Sequence, residues 1–263
     1  IIDTFLININ HFNNVGTNTF GEIMYSKDLP STYLLIWFLV KIPLIILIGL
    51  LLIPFSEKEI FVKEKNKIFV GSILLTILLI PLILILTKAH LYDEIRQVMF
   101  LVPLILILGL ISLYTISKKV FYFISIISIS FFVIENIKIN PYQYVWFNLP
   151  SRTIDITKKF ELEYQGISGK EISQFLAKLE KQDICILANP IHGVKPFLKD
   201  TRFNCFDIWQ KIDTDYQRPF LAVQHVRNIK KSLPYDCKEI YQSNFQLLFH
   251  REKFVTAKLL KCD

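Results

Sequence analysis

The sequence has 263 residues, 52% of them hydrophobic, and a formal net charge of +7 at pH 7. Average soluble domains are roughly 45–50% apolar, so the distribution along the chain matters more than the total. Residues 31–135 are nearly all Leu, Ile, Val and Phe, whereas residues 136–263 have the composition of a soluble domain. This break excludes one soluble globular domain and predicts an α-helical membrane bundle followed by a small α/β domain.

Most of the positive charge lies in the C-terminal part. Residues 1–135 hold 10 Lys and Arg against 9 Asp and Glu, and residues 136–263 hold 20 against 14. A basic domain beside a membrane can rest on anionic lipid headgroups, although such an excess is also ordinary for a solvated surface. We expect the lipid bilayer as a partner and no nucleic acid.

The sequence begins with Ile1, and no signal peptide precedes its first long apolar run, near residue 32. We therefore expect a fragment or a processed product of a longer protein.

Four apolar stretches are predicted to cross the membrane, because a helix needs about 20 apolar residues to span roughly 30 Å of hydrocarbon. They lie within residues 32–135 and cover residues 33–55, 68–87, 98–116 and 120–134. Proline interrupts the first three, which membrane helices tolerate when neighbouring groups satisfy the freed carbonyls.

Lysine marks the loops that face the cytoplasm. The loops after the first and third spans are rich in lysine, whereas Lys88 and Arg96 in the second loop are offset by Asp93 and Glu94. Four spans then place residues 1–31, as a loop segment, and the domain of residues 136–263 on the extracytoplasmic side. The predicted location is the plasma membrane, or the inner membrane of a bacterium.

The C-terminal domain shows helix and strand signals in turn. Residues 160–164 alternate like a strand. Ser168 is placed to cap a helix running to about residue 181, with Glu171 at the capping-box position. Buried strands are predicted over residues 183–188 and 219–225. Residues 239–249 and 254–260 form either a terminal hairpin or a strand followed by a helix.

All four cysteines lie in the domain placed outside, where an oxidising compartment permits one or two disulfides. Cys185 lies within a strand and is predicted to be a buried thiol. Cys205–Cys237 and Cys237–Cys262 are the alternative bridges. The Cys and His spacing predicts no metal site.

The second loop is the densest group of polar side chains near the membrane. Arg96 is predicted to begin a helix, whose N-terminus favours anions, and guanidinium suits bidentate phosphate binding. Lys41 lies within the first span, where ionisable residues are costly and usually functional. The alternative is that these charges only mark helix ends. Farther along, Tyr142, Tyr144 and Trp146 form either an interfacial aromatic belt or a stacking platform for a ligand.

Three stretches of the sequence resemble a known family. Residues 20–34 read FGEIMYSKDLPSTYL and are followed by KIP at residues 41–43. Residues 91–103 read LYDEIRQVMFLVP. Residues 140–148 read NPYQYVWFN, and residues 160–168 read FELEYQGIS. In this order they resemble the C-terminal half of lipid-linked-sugar glycosyltransferases of the protein O-mannosyltransferase and aminoarabinose-transferase type, glycosyltransferase family 39 with GT-C architecture. Glu94, Gln97 and Gln165 replace the usual Gly, His and Trp.

The resemblance implies transfer of a sugar from a polyprenyl-phosphate carrier to a protein or glycan acceptor on the extracytoplasmic face. It also implies that the catalytic carboxylate, with a divalent metal in the full-length enzyme, lies in a loop upstream of this chain. Tyr92, Asp93 and Arg96 match the family's loop position by position. We expect Arg96, Asp93, Tyr92 and Lys41 to form the site for the lipid phosphate, in which Arg96 helps hold the phosphate and Asp93 orients it.

Two alternatives remain at this point. The chain can be a non-catalytic anchor that presents an extracytoplasmic binding or assembly domain. It can also be a fragment of a transporter, which broken helices and inverted repeats would favour; the sequence shows neither.

Overall fold

The structure is a computed structural model. It describes residues 15–60, 64–163, 165–179, 185–189, 191–198, 205–208, 219–225 and 236–262. The chain forms two compact units: residues 1–137 with 146–161, and residues 138–145 with 162–263. The chain therefore returns once to the first unit after the predicted boundary at residue 136.

The first unit begins with an antiparallel hairpin of β1 (Gly16–Thr19) and β2 (Glu22–Tyr25). Its turn residues, Phe20 and Gly21, have φ angles of 57° and 94°, the sign that two-residue turns between twisted strands require.

The returning segment of residues 146–161 packs on this hairpin. Phe160 forms an isolated bridge with Thr19, just after the short helix α7 (Ile156–Lys159). Residues 161–163 form no strand, so the predicted strand over residues 160–164 is wrong where it is described; Tyr164 lies outside the described residues.

The first predicted span is broken. Helices α1 (Tyr33–Lys41) and α2 (Leu44–Leu51) meet at a bend of 116°, so the prediction of one helix over residues 33–55 is wrong, as is the view that the chain has no broken helix. Pro43 explains the break, because a residue before proline is driven out of the helical region. Ile42 is accordingly extended, with φ −77° and ψ 134°.

The remaining helices of the first unit are α3 (Ile53–Ile60), α4 (Glu64–Leu86), α5 (Leu101–Ile116) and α6 (Lys118–Lys138). α4 (over Asn66–Leu86) and α6 are long and apolar enough to cross a membrane, and the bent pair makes up to three such spans. The 16 residues of α5 rise about 24 Å, less than the roughly 30 Å of hydrocarbon. The described residues thus hold two to three candidate spans, and the prediction of four is not met by helix length alone.

Helices α2 and α5 approach closely through two glycines. A Cβ on Gly49 would lie 2.2 Å from the carbonyl oxygen of Gly109, so no larger residue fits. Small residues at such crossings let membrane helices gain van der Waals contact where lipid supplies no hydrophobic driving force. Ser56 and Ser112 add a buried hydroxyl contact of 3.1 Å between α3 and α5.

The second unit is a mixed five-stranded sheet with helix α8 (Ser168–Leu176) on one face. The strand order is β4 (Cys205–Ile208), β3 (Cys185–Asn189), β5 (Phe220–His225), β7 (Phe254–Cys262) and β6 (Cys237–Phe245). The first three strands are parallel, and β7 is antiparallel to both of its neighbours. Ile172 and Leu176 of α8 pack on Ile186, Leu221 and Leu259 of the sheet.

The structure confirms the predicted strands of this unit and corrects the predicted helix cap. The predicted strand over residues 219–225 and the terminal hairpin are confirmed. The strand predicted from residue 183 is described from Cys185, since residues 183 and 184 lie outside the described residues. α8 ends at Leu176, and Ile167 occupies its N-cap without a side-chain hydrogen bond. Ser168 is therefore not the cap, because its hydroxyl binds Glu163 instead.

One of the two alternative disulfides is confirmed, and the prediction for Cys185 is wrong. The bridge Cys237–Cys262 is confirmed and joins β6 to β7, which rules out Cys205–Cys237. Cys185 is disulfide-bonded, so its prediction as a buried thiol is wrong. The residue opposite it on the adjacent strand is Cys205, a proximity that only the sheet register reveals.

Candidate functional site

The backbone of the loop between α4 and α5 is unusual at two adjacent residues. Asp93 and Glu94 have φ angles of 54° and 67°, a region that non-glycine residues rarely occupy. Such conformations persist only where the surroundings enforce them, and they cluster at functional sites. Glycine adopts a positive φ most easily, so the two acidic residues hold this backbone conformation at a cost.

The side chain of Glu94 forms a buried ion pair with Lys41. Their charged atoms are 2.8 Å apart, and the two side chains are 4% and 7% exposed. Lys41 is the last residue of α1, next to the break before Pro43. The residue predicted to face a lipid phosphate therefore faces a carboxylate, because the break turns the end of α1 toward this loop.

Aromatic rings surround the ion pair. The Lys41 ammonium lies 4.2 Å from the ring centre of Phe147 and 5.6 Å from that of Trp37, within the range of cation–π attraction. The hydroxyl of Tyr33 donates to the carbonyl oxygen of Glu94 at 3.4 Å. These contacts compensate part of the cost of removing both charges from water.

The pair is not fully satisfied. Oε1 of Glu94 is buried without a hydrogen-bond partner. Burial raises the pKa of Glu94 to about 7, against the attraction of the Lys41 ammonium, which lowers it.

Other polar atoms in the same loop are also buried without partners. They are Nδ1 of His90 and both amide atoms of Gln97. Buried polar groups are nearly always paired, so each exception calls for an explanation. The loop holds more hydrogen-bonding capacity than the described part of the chain uses.

Arg96 is an accessible cation next to the buried pair. Its side chain is 53% exposed and contacts the buried carboxylate of Asp93 at 3.5 Å. The backbone N–H of Asp93 donates to the Thr17 hydroxyl at 3.3 Å, which ties the loop to β1. Tyr92 is half-buried beside them. Arg96 begins a three-residue 3₁₀ turn, whereas α5 begins at Leu101, so the predicted helix N-terminus at Arg96 is wrong.

Asn148 is a site residue whose role the sequence did not reveal. Its side-chain N–H groups donate to the carbonyl oxygens of Leu39 (2.6 Å) and Ile42 (2.8 Å). Its backbone N–H donates to the carbonyl of Val40 at 2.9 Å. It therefore satisfies the backbone groups that the break at Pro43 frees. Its place in the third resembling stretch was the available signal.

A second buried ion pair was also missed. Arg152 binds Glu135 through two parallel hydrogen bonds of 2.6 and 2.7 Å, and both side chains are almost fully buried. The guanidinium also donates to the carbonyl of Phe147, and the Trp146 indole donates to Glu135 at 2.6 Å. The available signal in the sequence was Glu135, a single acid at the end of an apolar run, with Arg152 shortly after it.

The second unit has its own polar cluster at the carboxyl end of β5. Ser168 lies 3.2 Å from Glu163 and 3.0 Å from Nδ1 of His225, and Tyr144 donates to the same carboxylate. Burial raises the pKa of Glu163, but hydrogen bonds from His225, Tyr144 and the Ile167 backbone outweigh it and lower the pKa. Serine and carboxylate share one histidine nitrogen, so the order of a nucleophilic triad is not present.

The aromatic segment does not form an open platform. Tyr142 is 3% exposed and lies within hydrogen-bond distance of Glu171 and Ser243. Tyr144 and Trp146 donate to Glu163 and Glu135. Glu171, predicted for a capping box, instead accepts from the side chains of Tyr241 and Ser243.

Comparison of the chain with protein-family models, curated proteins and solved structures finds no match. Within the described ranges, no group of three His, Cys, Asp or Glu residues is placed to hold a metal ion. The functional argument therefore depends on the geometry around Lys41, Glu94 and Arg96.

Proposed function

We propose that this chain is the C-terminal portion of an integral-membrane glycosyltransferase. The enzyme takes a sugar from a polyprenyl-phosphate carrier and passes it to an acceptor on the extracytoplasmic face. The chain supplies the cation that binds the carrier's phosphate, and the catalytic carboxylate lies elsewhere in the full-length protein.

One observation carries the proposal: the three stretches that resemble the family meet in space. Lys41 from the first pairs with Glu94 from the second. Asn148 from the third binds the carbonyls on both sides of the break in the first. Trp37 contacts Phe147 and Phe160 at 6.3 and 5.2 Å between ring centres. Residues that only marked the ends of separate helices would not be expected to contact one another in this way.

The exposure of the predicted residues indicates a different role for each. Lys41 and Glu94 are sealed from solvent and hold the loop, so they are positioning residues. Arg96 is exposed and offers the planar donor pattern that suits a phosphate, while Asp93 limits the positions of its guanidinium. The buried polar atoms of His90, Glu94 and Gln97 lie in the same loop as Arg96 and belong, like the ion pair, to the part of the site that no ligand reaches.

The proposed topology counts four crossings: the bent pair α1 and α2, then α4, α5 and α6. Both the loop that carries Arg96 and the second unit then lie outside the cytoplasm. The Cys237–Cys262 bridge supports this side, because disulfides persist in oxidising compartments and are rare in the cytosol.

The test is release of polyprenyl phosphate from its sugar-charged form by the full-length protein in membranes. We expect release by the natural protein and a loss of roughly 100-fold or more in the Arg96→Ala variant, since charge-assisted contacts to a leaving phosphate are among the strongest available. Arg96→Lys should recover only part of the rate, because lysine lacks the bidentate geometry.

The matched control is Arg251→Ala, which removes an exposed arginine from the turn between β6 and β7. It should leave release unchanged. Release that is as fast in Arg96→Ala as in the natural protein contradicts the assigned role. No release by the full-length natural protein favours a membrane-anchored binding or assembly domain instead.

A further inference from the structure

A cleft of about 450 Å³ lies in the first unit, where α4 ends and α1 begins. Its size falls within the roughly 300–1,000 Å³ typical of small-molecule sites. Its lining is divided between apolar side chains, among them Leu34, Leu84 and Ile85, and the charged residues Lys27, Asp28 and Lys88. A cleft of this composition suits a ligand with an apolar part and an anionic part.

The two lysines reach the cleft from different segments. Lys27 follows the β1–β2 hairpin, and Lys88 follows the last turn of α4. Both residues are exposed, and they outnumber the single acid of the lining, Asp28. The cleft adjoins the end of the apolar stretch Asn66–Leu86, so it lies where a lipid headgroup would meet the protein.

Lys88 occupies a backbone position that favours glycine. Its φ angle is 50°, and its N–H donates to the carbonyl of Ile85 while that of Ala89 donates to Leu84. These two bonds form the Schellman ending of α4, in which the left-handed residue is usually glycine. A lysine here gives up backbone stability, which is consistent with selection for its charge rather than for helix termination.

From these observations we infer that the cleft binds the phosphate of a membrane lipid, with Lys27 and Lys88 on the phosphate oxygens. The apolar wall of Leu84 and Ile85 accommodates the first carbons of the lipid chain. A free phosphate has the same anionic chemistry but would gain nothing from that wall. The inference deepens the proposed function, on which it rests for the carrier: the lipid phosphate has a resting site at this cleft in addition to its contact with Arg96.

The experiment measures binding of a polyprenyl monophosphate to the purified full-length protein in phosphatidylcholine nanodiscs, with Arg96→Ala in every variant so that the proposed contact at Arg96 does not contribute. The double variant Lys27→Ala/Lys88→Gly should bind roughly 100-fold more weakly, since each of the two charged hydrogen bonds contributes on the order of tenfold. Lys88→Gly suits the left-handed backbone, so its melting temperature should hold or rise while its affinity falls. The control is Lys119→Ala, which removes an exposed lysine from the first turn of α6 and should leave binding unchanged.

Two further ligands separate the sources of phosphate. An uncharged polyprenol should bind much more weakly than its phosphate, and inorganic phosphate should compete poorly. Equal affinity of the double variant and its Arg96→Ala parent overturns the inference, as does equal affinity for polyprenol. Inorganic phosphate that competes as well as the lipid overturns the assignment to a lipid. Binding is measured without sugar transfer, so the two proposals are tested separately. Loss of cleft binding with continued release of polyprenyl phosphate contradicts only the cleft, and cleft binding without release contradicts only the proposed enzyme.

Discussion

The two buried ion pairs of the first unit resemble each other in charge and burial but differ in how completely they are satisfied. Arg152 holds Glu135 through two parallel hydrogen bonds, and further donors complete the pair. Lys41 contacts Oε2 of Glu94, and Oε1 of the glutamate has no hydrogen-bond partner among the described residues.

The backbone around the two pairs differs as well. Glu135 lies in the regular helix α6, whereas Glu94 has a left-handed backbone in a loop. A satisfied pair on regular structure fixes a fold. A half-satisfied pair on a strained loop retains hydrogen-bonding capacity and sits beside the exposed Arg96. The comparison teaches that burial alone does not separate a structural pair from one that serves a site.

The largest expected effect comes from breaking the satisfied pair. Arg152→Ala should lower the free energy of unfolding by about 3–5 kcal/mol, because it leaves Glu135 as an uncompensated buried charge. Thermal unfolding in detergent measures the loss. The exposed pair Lys158–Asp155 gives the control, since Lys158→Ala should change stability by less than about 1 kcal/mol. Similar losses of unfolding free energy in both variants would show that the buried pair stabilises the protein no more than the surface pair does.

Removing the lysine of the other pair should cost less. In Lys41→Met the remaining Glu94 can take up a proton, since its pKa is already raised to about 7, and it need not stay charged. We expect a loss of about 1–3 kcal/mol at pH 6, measured in the same unfolding assay. A loss of unfolding free energy as large as that of Arg152→Ala would show that Glu94 stays ionised when Lys41 is removed, which contradicts this prediction.

The third effect is a dependence of stability on pH. The pKa of Glu94 rises from 4.5 to about 7 on folding, so the folded state favours the protonated carboxyl. Its contribution to stability is complete below pH 4.5 and is lost as the pH rises through 7, by about 3 kcal/mol at most.

The Glu94→Gln variant should lose this dependence, because glutamine does not titrate. The measurement is the difference in melting temperature between this variant and the natural protein from pH 5 to pH 8. A difference that stays constant over that range contradicts the raised pKa.

The sequence predicted the features that depend on local composition. The apolar stretches in α4 and α6, the strand at residues 219–225 and the terminal hairpin follow from runs and periodicity. Lys41 was identified because a charge within an apolar run is costly. The bridge Cys237–Cys262 was one of two alternatives, and only the pairing of β6 with β7 decides between them.

The rest depends on contacts between distant residues. Nothing local shows that Lys41 meets Glu94, or that Asn148 satisfies the break at Pro43. The bend itself had a local cause in Pro43, but membrane helices also tolerate proline without breaking. The role of Arg96 was argued from a helix start that is only a 3₁₀ turn, so its exposure next to Asp93 now carries the hypothesis.

The most direct test of the division between a site pair and a structural pair uses apolar replacements of both in the full-length protein. The variants are Lys41→Met/Glu94→Leu and Arg152→Met/Glu135→Leu, since apolar residues of similar volume often replace a buried pair without loss of stability. The measurement is kcat for release of polyprenyl phosphate at saturating donor, together with the melting temperature. We predict that the first variant stays folded and loses about tenfold or more in kcat, whereas the second, where folded, keeps its kcat. Full kcat in a folded Lys41→Met/Glu94→Leu variant would contradict the account.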